Sequence, residues 1–123
     1  MRILGIDFGA SKIGLAIGEN GLVEPLGIIQ FSHYQSRIKD ICQREGIKKI
    51  VVGISEGKSG QEAEKFAKRL AKTVGSPVET TDETLTTYEA TAKMKQAGRK
   101  WRGKEDALAA ALILDNYFSL RHV

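Results

Sequence analysis

Asp7 closes an apolar run, Ile3-Leu4-Gly5-Ile6, with a carboxylate, and glycines follow it at Gly9 and Gly14. An acid at the end of a strand bound for the core is costly unless something pairs with it. Two further acids fall at element boundaries. Glu83 comes just past the short run 77–81 (PVETT), and Asp106 lies in the first turn of the last helical pattern. In an open α/β sheet, groups beyond the carboxyl ends of strands line the site crevice. Three carboxylates gathered there repel one another without cations, so such a cluster points to a hard divalent ion such as Mg²⁺. The glycines beside Asp7 would let a phosphate or a metal approach the backbone. Glu83 and Asp106 each also have an ordinary explanation, as turn chemistry and as a partner of the helix macrodipole. Asp7 is harder to explain in that way.

The cations are as unevenly placed as the acids. Arg99-Lys100-Trp101-Arg102-Gly103-Lys104 sets four positive charges around one aromatic, directly before Asp106. Such a loop can grip backbone phosphates while Trp101 stacks on a base. The competing reading is a solvated basic loop with Trp101 tucked onto the core. Lys12, close to Asp7, and Lys58 are further phosphate contacts to consider. A net charge of +4 and a pI of about 9.3 favour polyanionic partners in general.

Some local patterns point elsewhere and fail. Gly53-Ile54-Ser55-Glu56-Gly57-Lys58-Ser59 resembles a P-loop, but it has three residues between its glycines where the motif has four. Asp7-Phe8-Gly9 spells the kinase triplet in a chain too short to be a kinase and without the other kinase signatures. His33, His122 and the single Cys42 supply no zinc set. Cys42 shares a helical spacing with Ile38 and Ile41, which predicts a buried thiol.

The elements that must position these groups follow from periodicity. Residues 2–7 and 12–18 read as an antiparallel hairpin, and 22–31 as a third strand whose Pro25 suggests an edge. A helix fits 34–45, ended by Gly46. KKIVVGI (48–54) is β-branched and unalternating, as expected of a strand buried on both faces. A helix over 62–74 carries Ala63, Phe66, Ala67, Leu70, Ala71 and Val74 on one stripe, and 77–81 is a short strand. Thr86-Thr87-Tyr88-Glu89 has the spacing of a capping box, predicting a helix from there to Gly98. The last helix, about 105–120, is apolar over most of its circumference. Three strands followed by alternating helices and strands predict an α/β fold with a mixed sheet, antiparallel at one side and parallel at the other.

Four segments, GIDFGASKIGLAIG, KKIVVGI with the following FAKRL helix, TDETLTTYEA and EDALAAALILDNYF, stand in the order and spacing of one family. On them the chain resembles the YqgF/RuvX family, described as Holliday-junction resolvases and as nucleases of precursor 16S ribosomal RNA. The resemblance implies an RNase H-like fold: a mixed five-stranded sheet, three antiparallel strands then parallel ones, flanked by helices. It also implies two-metal phosphodiester hydrolysis with Mg²⁺ or Mn²⁺, in which Asp7 bridges both ions and Glu83 and Asp106 each complete one coordination sphere. The chain departs from the family pattern at Thr84, where an arginine is usual, at the 53–57 loop, and at Ala10, Ser11 and Glu105. None of these is one of the three acids.

These features predict a single nuclease domain over residues 1–123, acting on structured RNA or branched DNA. A junction with two-fold symmetry would call for a homodimer. The alternative is a non-catalytic nucleic-acid-binding or assembly factor that has kept the fold. No apolar stretch approaches the ~18 residues of a membrane span, and no signal-peptide series precedes the first strand, so the cytoplasm is expected.

Overall fold

The computed structural model describes residues 1–9, 12–54, 58–82 and 107–121. The expected hairpin is β1 (Arg2–Asp7) and β2 (Lys12–Glu19), paired antiparallel from Arg2↔Glu19 to Asp7↔Gly14. Asn20 and Gly21 then turn the chain with φ of 54° and 81° into β3 (Leu22–Gln30). Positive φ at both central residues is what a tight two-residue hairpin needs, and Asn-Gly supplies it with least strain.

β3 is an edge strand, as Pro25 suggested. Leu15 pairs with Gly27 while Ala16 pairs with Pro25, so Leu26 is an extra residue in a bulge. Gly27 takes the bulge's positive φ of 149°. A short 3₁₀ turn (Phe31–His33) leads into α1 (Tyr34–Glu45), which Gly46 ends at φ 64° with its N–H donating to the Cys42 carbonyl.

β4 (Ile47–Ile54) runs parallel to β1, and α2 (Lys58–Val74) returns the chain to β5 (Val78–Asp82), parallel to β4. The sheet order is β3-β2-β1-β4-β5, so β1 is central. α2 begins four residues before the expected 62. Its first turn, Lys58-Ser59-Gly60-Gln61, lacks the apolar repeat from which the helix is legible. α3 (Leu108–Arg121) is the described part of the last helix. The helix expected over 86–98 lies outside the described residues.

Two cores sandwich the sheet. On one face Leu4, Ile6, Ile50 and Val52 meet Ile38, Ile41, Phe66 and Leu70 of α1 and α2. On the other, Ile3, Ala16 and Val51 meet Ala110, Ala111, Ile113, Leu114 and Tyr117 of α3. β4 feeds both cores, which explains its unalternating sequence. Cys42 is buried in the first core, and burial pushes its thiol above the usual range.

A part-buried polar cluster fixes α3 against the parallel edge of the sheet. Lys49 Nζ donates to Glu79 Oε2 at 3.1 Å and approaches Tyr117 Oη at 3.0 Å. Tyr117 Oη donates to the same Glu79 oxygen at 3.0 Å. One carboxylate thus joins β4, β5 and α3. Among the described residues no helix is long and apolar enough to cross a membrane.

Candidate active site

Side chains alternate along β1. Leu4, Ile6 and, one step past the strand, Phe8 pack on the α1/α2 side, whereas Ile3 and Gly5 lie beneath α3. Period-two alternation therefore puts Asp7 on the α3 side of the sheet, at its carboxyl end.

The contacts of α3 give its direction. Ala110 and Leu114 crowd Gly5, while Leu114 and Phe118 crowd Gly18, whose β1 partner is Ile3. α3 thus runs antiparallel to β1, with its amino end at the level of Asp7. Ala107, just before it, is fully buried. Since β4 and β5 are parallel to β1, their last residues lie at this same end, in the register Asp7↔Gly53↔Thr81 with Asp82 one step beyond. Asn116 Nδ2 donates to the Asp82 carbonyl at 3.4 Å, tethering α3 to the tip of β5.

Burial pushes the Asp7 carboxyl above the usual carboxylate range. Among the described residues it has neither an ion-pair partner nor a hydrogen-bond donor. Desolvation of a carboxylate is a cost that only a partner or a bound cation offsets. The turn after it is built for closeness. A Cβ on Gly9 would lie 2.5 Å from the Lys12 carbonyl oxygen, so a side chain there would force the hairpin tip apart. From beneath, Phe8 anchors the turn in an aromatic cluster, with ring centroids 4.7 Å from Phe66 and 5.9 Å from Phe31. Tyr34 closes that cluster at 5.1 Å from Phe31 and 4.9 Å from Phe66. The anchoring role of Phe8 was not anticipated; its signal was the continuation of the Leu4, Ile6 alternation past the strand.

Of the anticipated site residues, Asp7 stands at the end of the central strand, Lys12 is exposed at the start of β2, and Lys58 opens α2. Glu83, Arg99, Lys100, Trp101, Arg102, Lys104 and Asp106 lie outside the described residues. Their described chain neighbours, Asp82 and Ala107, flank the sheet end that carries Asp7. No group of three or more potential metal-ligating side chains occurs among the described residues.

The β3-β2-β1-β4-β5 mixed sheet, with an acid closing its central strand, is an RNase H-like fold. Among solved structures the chain is similar to Thermus thermophilus RuvC in complex with a Holliday junction substrate, with a TM-score of 0.65 and 17% identity over 99% of this chain and 96% of that one. It is also similar to the fowlpox virus Holliday junction resolvase, with a TM-score of 0.58 and 14% identity over the full length of both chains. At such identities the likeness speaks for the fold. Residues 1–120 match the family model described as RuvX, Holliday junction resolvase, and the chain belongs to that family. Relatives from Anaeromyxobacter sp. strain Fw109-5 and Syntrophus aciditrophicus are 38% and 39% identical, covering 99% and 95% of this chain and 99% and 87% of their own. Both carry the name "Putative pre-16S rRNA nuclease". The chain is a phosphodiester-hydrolysing enzyme of this family.

Proposed function

We propose that the whole chain forms one nuclease domain that cleaves structured nucleic acid in the cytoplasm. Its substrate is an RNA precursor or a branched DNA, and Asp7, Glu83 and Asp106 hold Mg²⁺ or Mn²⁺. The observation that carries this reading is Asp7, a desolvated carboxylate without a partner among the described residues, at the end of the central strand. A hard cation fits such a group, because it restores the electrostatic stabilisation that burial removed. Bound ions of this kind lower the pKa of a coordinated water and neutralise charge on the leaving oxygen. The chain's own part is to hold the carboxylates and to present phosphates to them. Gly9 keeps the backbone beside Asp7 clear of side-chain bulk, and Lys12 offers a cation near the same turn. On a two-fold symmetric junction the enzyme would act as a homodimer.

Titrating Mg²⁺ or Mn²⁺ into the parent, Glu83→Gln and Asp106→Asn tests the ligand set. Each substitution should weaken ion binding and slow cleavage by about 10²-fold or more. Undiminished metal-dependent cleavage in either variant would overturn that residue's role.

The basic loop has a separate test. Replacing Arg99, Lys100 and Arg102 with alanine should weaken nucleic-acid binding and flatten the log–log salt dependence by about 0.9 for each phosphate no longer neutralised. An unchanged slope would make the loop an ordinary solvated surface.

A further inference from the structure

α2 carries a second concentration of positive charge that no catalytic or loop assignment uses. Lys65, Lys68, Arg69 and Lys72 follow the spacing i, i+3, i+4, i+7 and are all exposed. At 100° per residue they occupy an arc of about 100°. Ala63, Phe66, Ala67 and Leu70 bury the opposite side of the helix in the core. The cations therefore point away from the sheet.

No acid occurs between Lys65 and Lys72, and among the described residues none of the four cations is in an ion pair. α1 differs. Its Arg44 pairs with Asp40 at 3.4 Å, and its Glu45 pairs with Arg2 at 3.3 Å. Four like charges on neighbouring turns repel one another, and Glu62 and Glu64 offset them only at the start of the stripe, so the helix carries the rest at some cost to its stability. A polyanion laid along the stripe would relieve that repulsion.

We propose that this face of α2 is a track for the phosphate backbone of a substrate arm leaving the active end. α2 starts where β4 ends, and Asp7 pairs in register with Gly53 of that strand. From Lys58 to Lys72 the axis advances fourteen residues, about 21 Å at ~1.5 Å each. One strand of a duplex carries a phosphate about every 3.4 Å of rise, so an arm must extend about 6 base pairs beyond the active end to reach Lys72. The stripe itself, a rise of seven steps from Lys65 to Lys72, spans about 10 Å and faces about three phosphates of one strand. Such contacts position the substrate and are blind to its sequence. The direction in which the arm leaves rests on the proposed site at Asp7; the backbone contact does not.

The test compares a Lys65→Gln/Lys68→Gln/Lys72→Gln variant with an Arg37→Gln/Lys39→Gln/Arg44→Gln variant, which removes the same charge from exposed positions of α1. The probes are fluorescein-labelled four-way DNA junctions and RNA stem-loops, with arms of about 4 and about 12 base pairs. Because backbone contacts are sequence-independent, the parent should bind both kinds at low salt. For the long arms, the α2 variant should lose about 2 to 3 of the log–log salt slope and at least tenfold in affinity near 0.1 M salt. For the short arms, which by the same rise reach Lys65 but stop short of Lys72, it should lose only about 1 of the slope, and the α1 variant should resemble the parent on both.

Equal losses in both variants would reduce the effect to net charge and overturn the proposal. So would an unchanged slope in the α2 variant, which would leave the stripe to an acidic protein partner, or a parent that binds neither probe. Metal-dependent cleavage of the same probes by the parent is read in parallel. If binding follows α2 but no cleavage occurs, the track stands and the nuclease assignment fails; if cleavage occurs without the α2 effect, the reverse holds.

Discussion

Asp7→Asn is expected to reduce metal-dependent cleavage by about 10³-fold or more while making the metal-free protein more stable at neutral pH. The two effects share one origin. Burial raises the folded-state pKa of Asp7, so the native state disfavours the charged carboxylate. The sign follows directly. Below the unfolded-state pKa the group is protonated in both states and contributes nothing to the difference between parent and variant. As pH rises through the folded-state pKa, the native protein must ionise a desolvated acid, and parent stability falls relative to the asparagine variant. Asparagine keeps the shape without the charge. The variant should therefore match the parent at about pH 3 and exceed it by about 1 kcal/mol at pH 7, the size of an ordinary single-residue effect. Saturating Mg²⁺ should shrink or reverse the gain, because only the parent gains stability by binding the ion strongly. Urea unfolding of both proteins at the two pH values, with and without Mg²⁺, reads all of this. If Asp7→Asn destabilises the metal-free protein at pH 7 and Mg²⁺ moves neither curve, Asp7 is a structural acid.

The elements that were legible in the sequence are those whose packing is one-sided or punctuated. α1 runs Tyr34–Glu45 as expected, since Ile38, Ile41 and Cys42 repeat at helical spacing and Gly46 supplies the left-handed cap. β3 was legible as an edge because Pro25 cannot donate within an inner ladder. The start of α2 was hidden, because a polar first turn has no apolar period to display. Of the site, Asp7 stood out by the same logic that makes it costly: an acid continuing an apolar run. Phe8 did not stand out, since an aromatic beside a turn looks like any hydrophobe until Phe31, Tyr34 and Phe66 meet it from distant parts of the chain. The Lys49–Glu79–Tyr117 cluster was invisible for a similar reason, being assembled across 30 and 68 residues of sequence. Contacts of that range depend on topology, which local pattern does not encode.

Gly5→Ala is expected to cost about 3 kcal/mol and about 10²-fold in cleavage, although Gly5 touches no substrate. A Cβ there would lie 2.4 Å from Leu114 Cγ, 2.9 Å from Leu114 Cδ1 and 3.1 Å from the Ala110 carbonyl oxygen. α3 thus rests directly on the backbone of β1. Leu114 is fully buried and Ala110 contributes a backbone atom, so neither can step aside without moving the helix. Overpacking of this kind typically costs about 1–3 kcal/mol, and the absence of a flexible neighbour puts Gly5 at the upper end. At Gly18 the nearest atoms belong to the ring edge of half-buried Phe118, at 2.5 and 2.9 Å, so Gly18→Ala should cost less. The drop in cleavage follows from the direction of α3. Its amino end stands level with Asp7, so lifting the helix shifts whatever the preceding chain presents there, and a misplacement of about 1 Å can cost about 10²-fold. A double-mutant cycle separates this from a general fall in stability. Leu114→Ala alone should cost about 2–5 kcal/mol through the cavity it leaves. Combined with Gly5→Ala, which fills part of that space, it should cost about 1–2 kcal/mol less than the sum. The double variant should also cleave faster than Gly5→Ala alone, despite being no more stable than it. Urea unfolding with an unchanged m-value supplies the energies, and single-turnover cleavage supplies the rates. A Gly5→Ala protein as stable and as active as the parent would mean that α3 can yield at this point, and that the amino end of α3 does not set the geometry of the site.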